Sequence, residues 1–176
     1  MLTRRHAFII LLIFAQLRVS AQPITSESRL KAAYVSKFPE FVEWPSAVWS
    51  ERTTVDLCIA HPNPFGSELA SMVSGETLNG RAYRVRQVGL SDPVDRCHVL
   101  YVHAHAASRV ALLRKVAALP ILTVGDSADL ESSTIVTLRI VDGRVRFIVS
   151  MAAAERAGLR ISSQLLRLAL DVRGSA

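Results

Sequence analysis

Hydrophobic and polar positions along this chain follow two periods, and the switches between them mark its elements. From Glu27 or Ser28 onward, Leu30, Ala33, Tyr34, Phe38, Phe41 and Val42 recur at spacings of three and four, the pattern of a helix with one apolar stripe. Pro39 cannot donate to the carbonyl of Val35, so a kink or restart is expected there, and Pro45 closes the element. Short apolar runs rich in Val, Leu and Ile follow at Val55 to Ala60, Cys97 to Val102 and Ile121 to Val124. Runs of this kind predict strands buried on both faces, as in a parallel sheet. Between Tyr83 and Val88, Arg84 and Arg86 alternate with apolar positions, which predicts one wet face near a sheet edge. Helices are expected over about Phe65 to Ser74 and Ala107 to Ala118, the second stopped by Pro120.

From Ile135 to Ser150 two runs rich in Val and Ile flank Asp142-Gly143, a two-residue turn suited to a tight hairpin. That pair must be antiparallel, so the sheet is mixed. Arg139, Arg144 and Arg146 fall on its expected solvent side. A short helix from Met151 to Ala157 ends at Gly158. Ser162 or Ser163 then caps a final helix with Leu165, Leu166, Leu168 and Ala169 on its apolar side. The whole reads as α/β, a mostly parallel sheet with a C-terminal antiparallel hairpin and helices on its faces.

The N-terminus changes how composition is weighed. Arg4 and Arg5 precede an eleven-residue apolar run, Ala7 to Leu17, and Val19-Ser20-Ala21 ends it with small residues, the three-part pattern of a secretory signal. A membrane span needs ~20 apolar residues, so this run is too short to be one. Cleavage near Ala21 leaves residues 22–176 as a single domain. Three arginines leave with the signal, so the formal charge falls from +6 to +3, or 18 basic residues against 15 acidic. A nucleic-acid surface is not expected of an exported chain with so small an excess.

Export also bears on Cys58 and Cys97, the only cysteines. In an oxidising compartment two cysteines in one small domain normally pair. In a doubly wound sheet their strands are neighbours. The competing reading is a reactive thiol at Cys97 with His98 as its base. Adjacent strand residues point to opposite faces, which favours the disulfide.

Candidate chemistry gathers at the expected strand ends. His61 and Asn63 follow the first strand, His103 and His105 the third, and Asp126 the fourth. Ligands of open α/β sheets bind at such ends, so His61, Asn63, His103 and Asp126 define a candidate small-molecule pocket. His103-Ala104-His105 could in principle hold a transition metal, though the spacing is common and no metal site is assigned. Asn63 is positioned to cap the following helix, with Pro64 at its first turn. Phe38, Phe41, Trp44 and Trp49 cluster four of eleven aromatics, open to two readings: core packing, or a partner-binding patch anchored by Phe41 and Trp44. No G-x-S-x-G, H-E-x-x-H, G-x-G-x-x-G or Walker lysine occurs, so a binding module is favoured over an enzyme.

Three segments resemble one family. They are Leu30-Lys31-Ala32-Ala33-Tyr34 leading to Phe41-Val42-Glu43-Trp44-Pro45, then Leu78-Asn79-Gly80-Arg81 with Cys97-His98-Val99-Leu100-Tyr101-Val102. The third is Ile121-Leu122-Thr123-Val124-Gly125-Asp126, continuing to Gly158-Leu159-Arg160-Ile161-Ser162-Ser163-Gln164-Leu165-Leu166. Together they resemble YfiR-like periplasmic proteins over essentially all of the chain after the signal. The resemblance implies a Rossmann-like three-layer sandwich, a disulfide at Cys58 and Cys97, and no cofactor. It implies a periplasmic regulator, not a catalyst, that represses an inner-membrane diguanylate cyclase by docking on its periplasmic sensor domain. Cyclic di-GMP signalling, surface attachment and biofilm formation would follow from its release. It also implies a homodimer. The alternative is a periplasmic small-molecule or metal-binding sensor. Some relatives carry a second, downstream disulfide; this chain has no cysteine after Cys97.

Overall fold

A computed structural model describes residues 25–50, 52–103 and 107–174. The signal segment and His105 lie outside the described residues. Helix α1 (Ser26–Lys37) starts at Thr25, whose hydroxyl accepts from the Ser28 amide at 3.1 Å. Pro39 ends it as expected, in a 3₁₀ turn over Phe38–Phe41. Strand β1 (Val42–Glu43) and helix α2 (Ser46–Trp49) lead into β2 (Thr54–Ala60).

Helix α3 (Glu68–Met72) is shorter than the periodicity suggests, because Gly66 takes a left-handed φ of 53° and breaks the run. Asn63 therefore caps a turn and not the helix. Its Oδ1 accepts from the Phe65 amide at 2.9 Å, and its Nδ2 donates to the Gly66 carbonyl at 2.9 Å. Strands β3 (Thr77–Leu78), β4 (Arg81–Val88) and β5 (Val99–Val102) follow, then helix α4 (Ala107–Val116) and strand β6 (Leu122–Gly125). The hairpin is β7 (Val136–Val141) and β8 (Arg144–Ser150), turned by Asp142 and Gly143 at φ 50° and 71°. Helix α5 (Met151–Arg156), β9 (Arg160–Ile161), α6 (Ser163–Leu168) and β10 (Asp171–Arg173) close the chain. The β10 strand has no counterpart in the sequence reading; three residues give no periodicity to detect.

Eight strands form one sheet in the order β10-β8-β7-β6-β5-β2-β4-β3, and β1 pairs separately with β9. From β4 across to β7 all pairings are parallel, and β7–β8 is antiparallel. The expected mixed α/β class is what the structure shows. One sheet face packs Leu57, Ile59, Tyr101, Val124 and Leu138 beneath α1, α3, α5 and α6. The other packs Cys58, Leu100 and Val102 against Leu112, Leu113 and Val116 of α4. The result is a three-layer sandwich. Gly125 ends β6 where a Cβ would come within 3.0 Å of Leu130 and 3.1 Å of Thr134, so its lack of a side chain lets that loop close over the strand end.

One expectation is corrected at α1. The residues it buries are Lys31, Ala32, Val35 and Ser36, while Leu30 is 45% exposed and Ala33, Tyr34 and Phe41 are only partly covered. Phe38 and Val42 of the expected stripe are buried, but the helix turns the Leu30 part of it outward. Small Ala32 and Ser36 permit close approach to the sheet, and Lys31 finds a buried counter-charge there. Likewise Leu168 of α6, expected inside, is 59% exposed, while Leu165 is buried.

Candidate functional site

Of the four residues proposed for a strand-end pocket, two meet. Asp126 follows β6, and its Oδ2 lies 2.7 Å from His103 Nδ1. The same oxygen accepts from the Tyr101 hydroxyl at 2.8 Å and from Lys31 Nζ at 3.0 Å. Lys31 also bridges to Glu27 at 2.6 Å, one turn earlier in α1. Burial works against the Lys31 charge, but hydrogen bonds to Glu27 and Asp126 outweigh it and raise its pKa. Burial, with the Asp126 charge beside it, pushes the Tyr101 hydroxyl strongly upward. The side chains of Asp126 and Lys31 are 2% and 9% exposed, so the cluster is a clasp fastening α1 to the sheet. His61 is exposed and contributes its carbonyl to Arg109 at 3.2 Å; Asn63 is occupied in its own turn. Among the described residues no three His, Cys, Asp or Glu are grouped to hold a metal.

Cys58 and Cys97 are joined by a disulfide between neighbouring strand segments, with Cα atoms 5.8 Å apart and both residues fully buried. The reactive-thiol reading is therefore set aside. His98 points to the opposite face, where its ring stacks on Trp49 at 4.7 Å and meets Trp44 edge-on at 5.8 Å. Its Nδ1 accepts from the Asp56 amide at 3.0 Å. Arg81 covers the same Trp49 ring at 4.9 Å. Burial first, then the nearby Arg52 and Arg81 charges, push the His98 pKa from 6.5 down to about 4 against the opposing pull of Asp56.

That depression makes stability depend on pH. The folded histidine stays neutral while the unfolded one protonates below 6.5, so stability is lost as pH falls from about 6.5 to 4. The loss is about 3 kcal/mol at most. Asp56 has a lowered pKa, so its own contribution is lost only below 3.8. Urea titrations of wild type should show the first decline, and His98→Gln should flatten it. An identical slope in both proteins would refute the assignment.

The open feature is a groove over the outer face of α1. The β1–β9 pairing and the Ser162 amide, bonded to the Phe41 carbonyl at 2.9 Å, bring the end of α1 beside α6. Ser162 caps α6 by accepting from the Leu165 amide. Between the two helices and β8 lies an apolar recess of about 260 Å³, lined by Leu30, Ala33, Tyr34, Lys37, Phe38, Phe41, Phe147, Leu165 and Leu168. It shares Leu30, Tyr34, Phe147 and Leu168 with a recess of about 560 Å³ that reaches Arg144, Arg146 and Arg167. Tyr34, Phe38 and Phe147 make a mutually packed aromatic floor, with ring centroids 5.5 to 6.0 Å apart. Phe41 lines this groove. Trp44, 7% exposed, lies behind it in the core. Sequence reasoning named Leu30, Tyr34 and Leu168 but as core; the buried Lys31 shows that α1 is rotated so that part of its apolar stripe faces outward.

These features define a three-layer α/β domain with a closed polar clasp at its strand ends and an open apolar groove on one helical face. The chain belongs to the YfiR/HmsC-like family, DUF4154, whose model matches residues 28–170. That family is regulatory in character, not catalytic. No curated protein sequence matches the chain. In fold it is similar to the crystal structure of a conserved domain protein from Vibrio cholerae O1 biovar El Tor, with a TM-score of 0.51 and 9% identity. The likeness covers 83% of this chain and spans 60% of the length of that one. Among the described residues no helix is long and apolar enough to cross a membrane.

Proposed function

We propose that this chain, freed of residues 1–21 and folded from 22–176, is a periplasmic protein that represses an inner-membrane diguanylate cyclase by docking on its periplasmic sensor domain. Family membership supplies the class of activity. The observation that carries the docking is the groove, because Leu30 and Leu168 are large apolar side chains left 45% and 59% exposed side by side over an aromatic floor. Lys37, Arg144, Arg146 and Arg167 rim it, so it suits an apolar segment with acidic flanks. Phe41 and Trp44 are the contact residues named from the sequence; of the two, Phe41 lines the groove, while Trp44 is buried. Docking favours the inactive sensor conformation, and a stimulus acts by weakening the contact. A second copy of the chain is the other partner the family suggests.

Leu168→Glu and Leu30→Glu place charge on exposed positions and leave the core intact. Each should weaken binding to the purified sensor domain at least tenfold and raise cyclic di-GMP in cells carrying the cyclase. Binding indistinguishable from wild type in both variants, with the fold confirmed by circular dichroism, would remove the groove from the interface. Unchanged cyclic di-GMP on deletion of the whole protein would remove the repressor role.

A further inference from the structure

A second site lies apart from both the groove and the Asp126 clasp. The buried carboxylate of Asp56, on β2, receives a two-pronged contact from Arg84 of β4, Nε to Oδ1 at 2.9 Å and Nη2 to Oδ2 at 2.5 Å. Thr54 donates to its Oδ1 at 2.8 Å, and Arg86 approaches Oδ2 at 3.7 Å. The carboxylate is 4% exposed and fully engaged, whereas Arg84 is half exposed. Arg52 is pinned by donating to the carbonyls of Asp95 and Arg96 at 2.9 and 3.2 Å. Arg52, Thr53, Thr54, Asp56, Arg84 and Arg96 line a polar recess of about 140 Å³, and Arg86 reaches the same carboxylate from outside it.

Among the described residues that line this recess, Asp56 is the one carboxylate, set against the guanidinium groups of Arg84 and Arg96, with Arg86 3.7 Å from the same carboxylate. Arg84 spends Nε and Nη2 on Asp56, which leaves its Nη1 protons to point elsewhere. Arg52 and Arg84 are held in place before any ligand arrives, so little side-chain entropy remains to be lost on binding. The recess is smaller than the ~300 Å³ at which sites for larger organic ligands begin. Guanidinium groups fixed in this way match the planar edges of phosphate and carboxylate.

The geometry points to an oxyanion-binding site, formed by Arg84 and Arg96 over the Asp56 floor with the Arg86 charge close behind, that takes one phosphate, sulfate or carboxylate group. The site is built on the segments that the disulfide ties. Asp56 lies two residues before Cys58 and Arg96 directly precedes Cys97. His98 donates its amide to the Asp56 carbonyl at 2.9 Å. An anion bound here therefore bridges β4 to the turn before β5.

The test is thermal unfolding and isothermal titration of the full mature chain with sodium phosphate, sodium succinate and sodium chloride at matched ionic strength. Phosphate or succinate should raise Tm by several degrees where chloride does not. The double variant Arg86→Gln/Arg96→Gln, which spares the Arg84–Asp56 pair, should weaken that anion at least tenfold while keeping wild-type Tm in chloride within a few degrees. Tighter phosphate binding identifies a free or esterified phosphate as ligand, and tighter succinate binding identifies an acidic side chain of a partner; either supports the site. Equal shifts with all three salts, or equal affinity in wild type and the double variant, would overturn it. Because Leu30 and Leu168 play no part here, loss of sensor-domain binding in the groove variants leaves this result untouched.

Discussion

Replacing Cys58 and Cys97 together by alanine should lower stability by about 4 kcal/mol and Tm by roughly 10 °C. The disulfide closes a separation of 39 residues, and in the chain-entropy model that constraint on the unfolded chain is its main effect. Its place in the fold adds a second term. Both cysteines are fully buried among Ala60, Leu100, Val102 and the α4 leucines, so truncation to alanine leaves a small void. Urea unfolding of the oxidised wild type against the double variant measures the difference. A loss below 1 kcal/mol would mean that the tie contributes little to the fold.

Asp126→Ala should cost about 3–5 kcal/mol, the range for a buried ion pair that loses one member. Lys31 would remain 9% exposed with only Glu27 as counter-charge, and the buried Tyr101 hydroxyl would lose its acceptor. Asp126→Asn keeps an acceptor for Tyr101 and should cost less. The double variant Lys31→Met/Asp126→Asn removes both charges and should regain much of the loss, because the penalty comes chiefly from an isolated charge. Equilibrium denaturation of wild type, Lys31→Met, Asp126→Asn and the double variant gives the coupling. Additive single effects would show that Lys31 and Asp126 act independently, against the clasp described above.

The chain announces its sheet more plainly than its helical faces. Strands β2, β5 and β6 are short, continuous Val, Leu and Ile runs because both their faces are covered, and the Asp142-Gly143 turn fixes the hairpin register. The neighbouring placement of β2 and β5, and with it the disulfide, follows from the doubly wound order. What misleads is α1. Periodicity reports where apolar residues lie around a helix, not which side meets the sheet. Here a long-range ion pair, Lys31 with Asp126 ninety-five residues away, turns the helix so that part of its greasiest stripe faces outward. The groove thus shows in the sequence as a core pattern. The strand-end pocket is legible only as a common location: His103 and Asp126 come together, but Asn63 is consumed by its own turn, which is local chemistry that helix-capping rules do not separate from a true cap. The Arg84–Asp56 pair depends on the parallel register that sets those two residues side by side.

The disulfide and the groove lie on opposite sides of the sheet: Cys58 and Cys97 pack under α4, while Phe147 and Leu165 face α1. The covalent tie and the proposed docking groove therefore share no packed side chains among these residues. On this placement the covalent tie is expected to act like a rivet in the chassis and not like a trigger, setting how many molecules stay intact and not how each one grips.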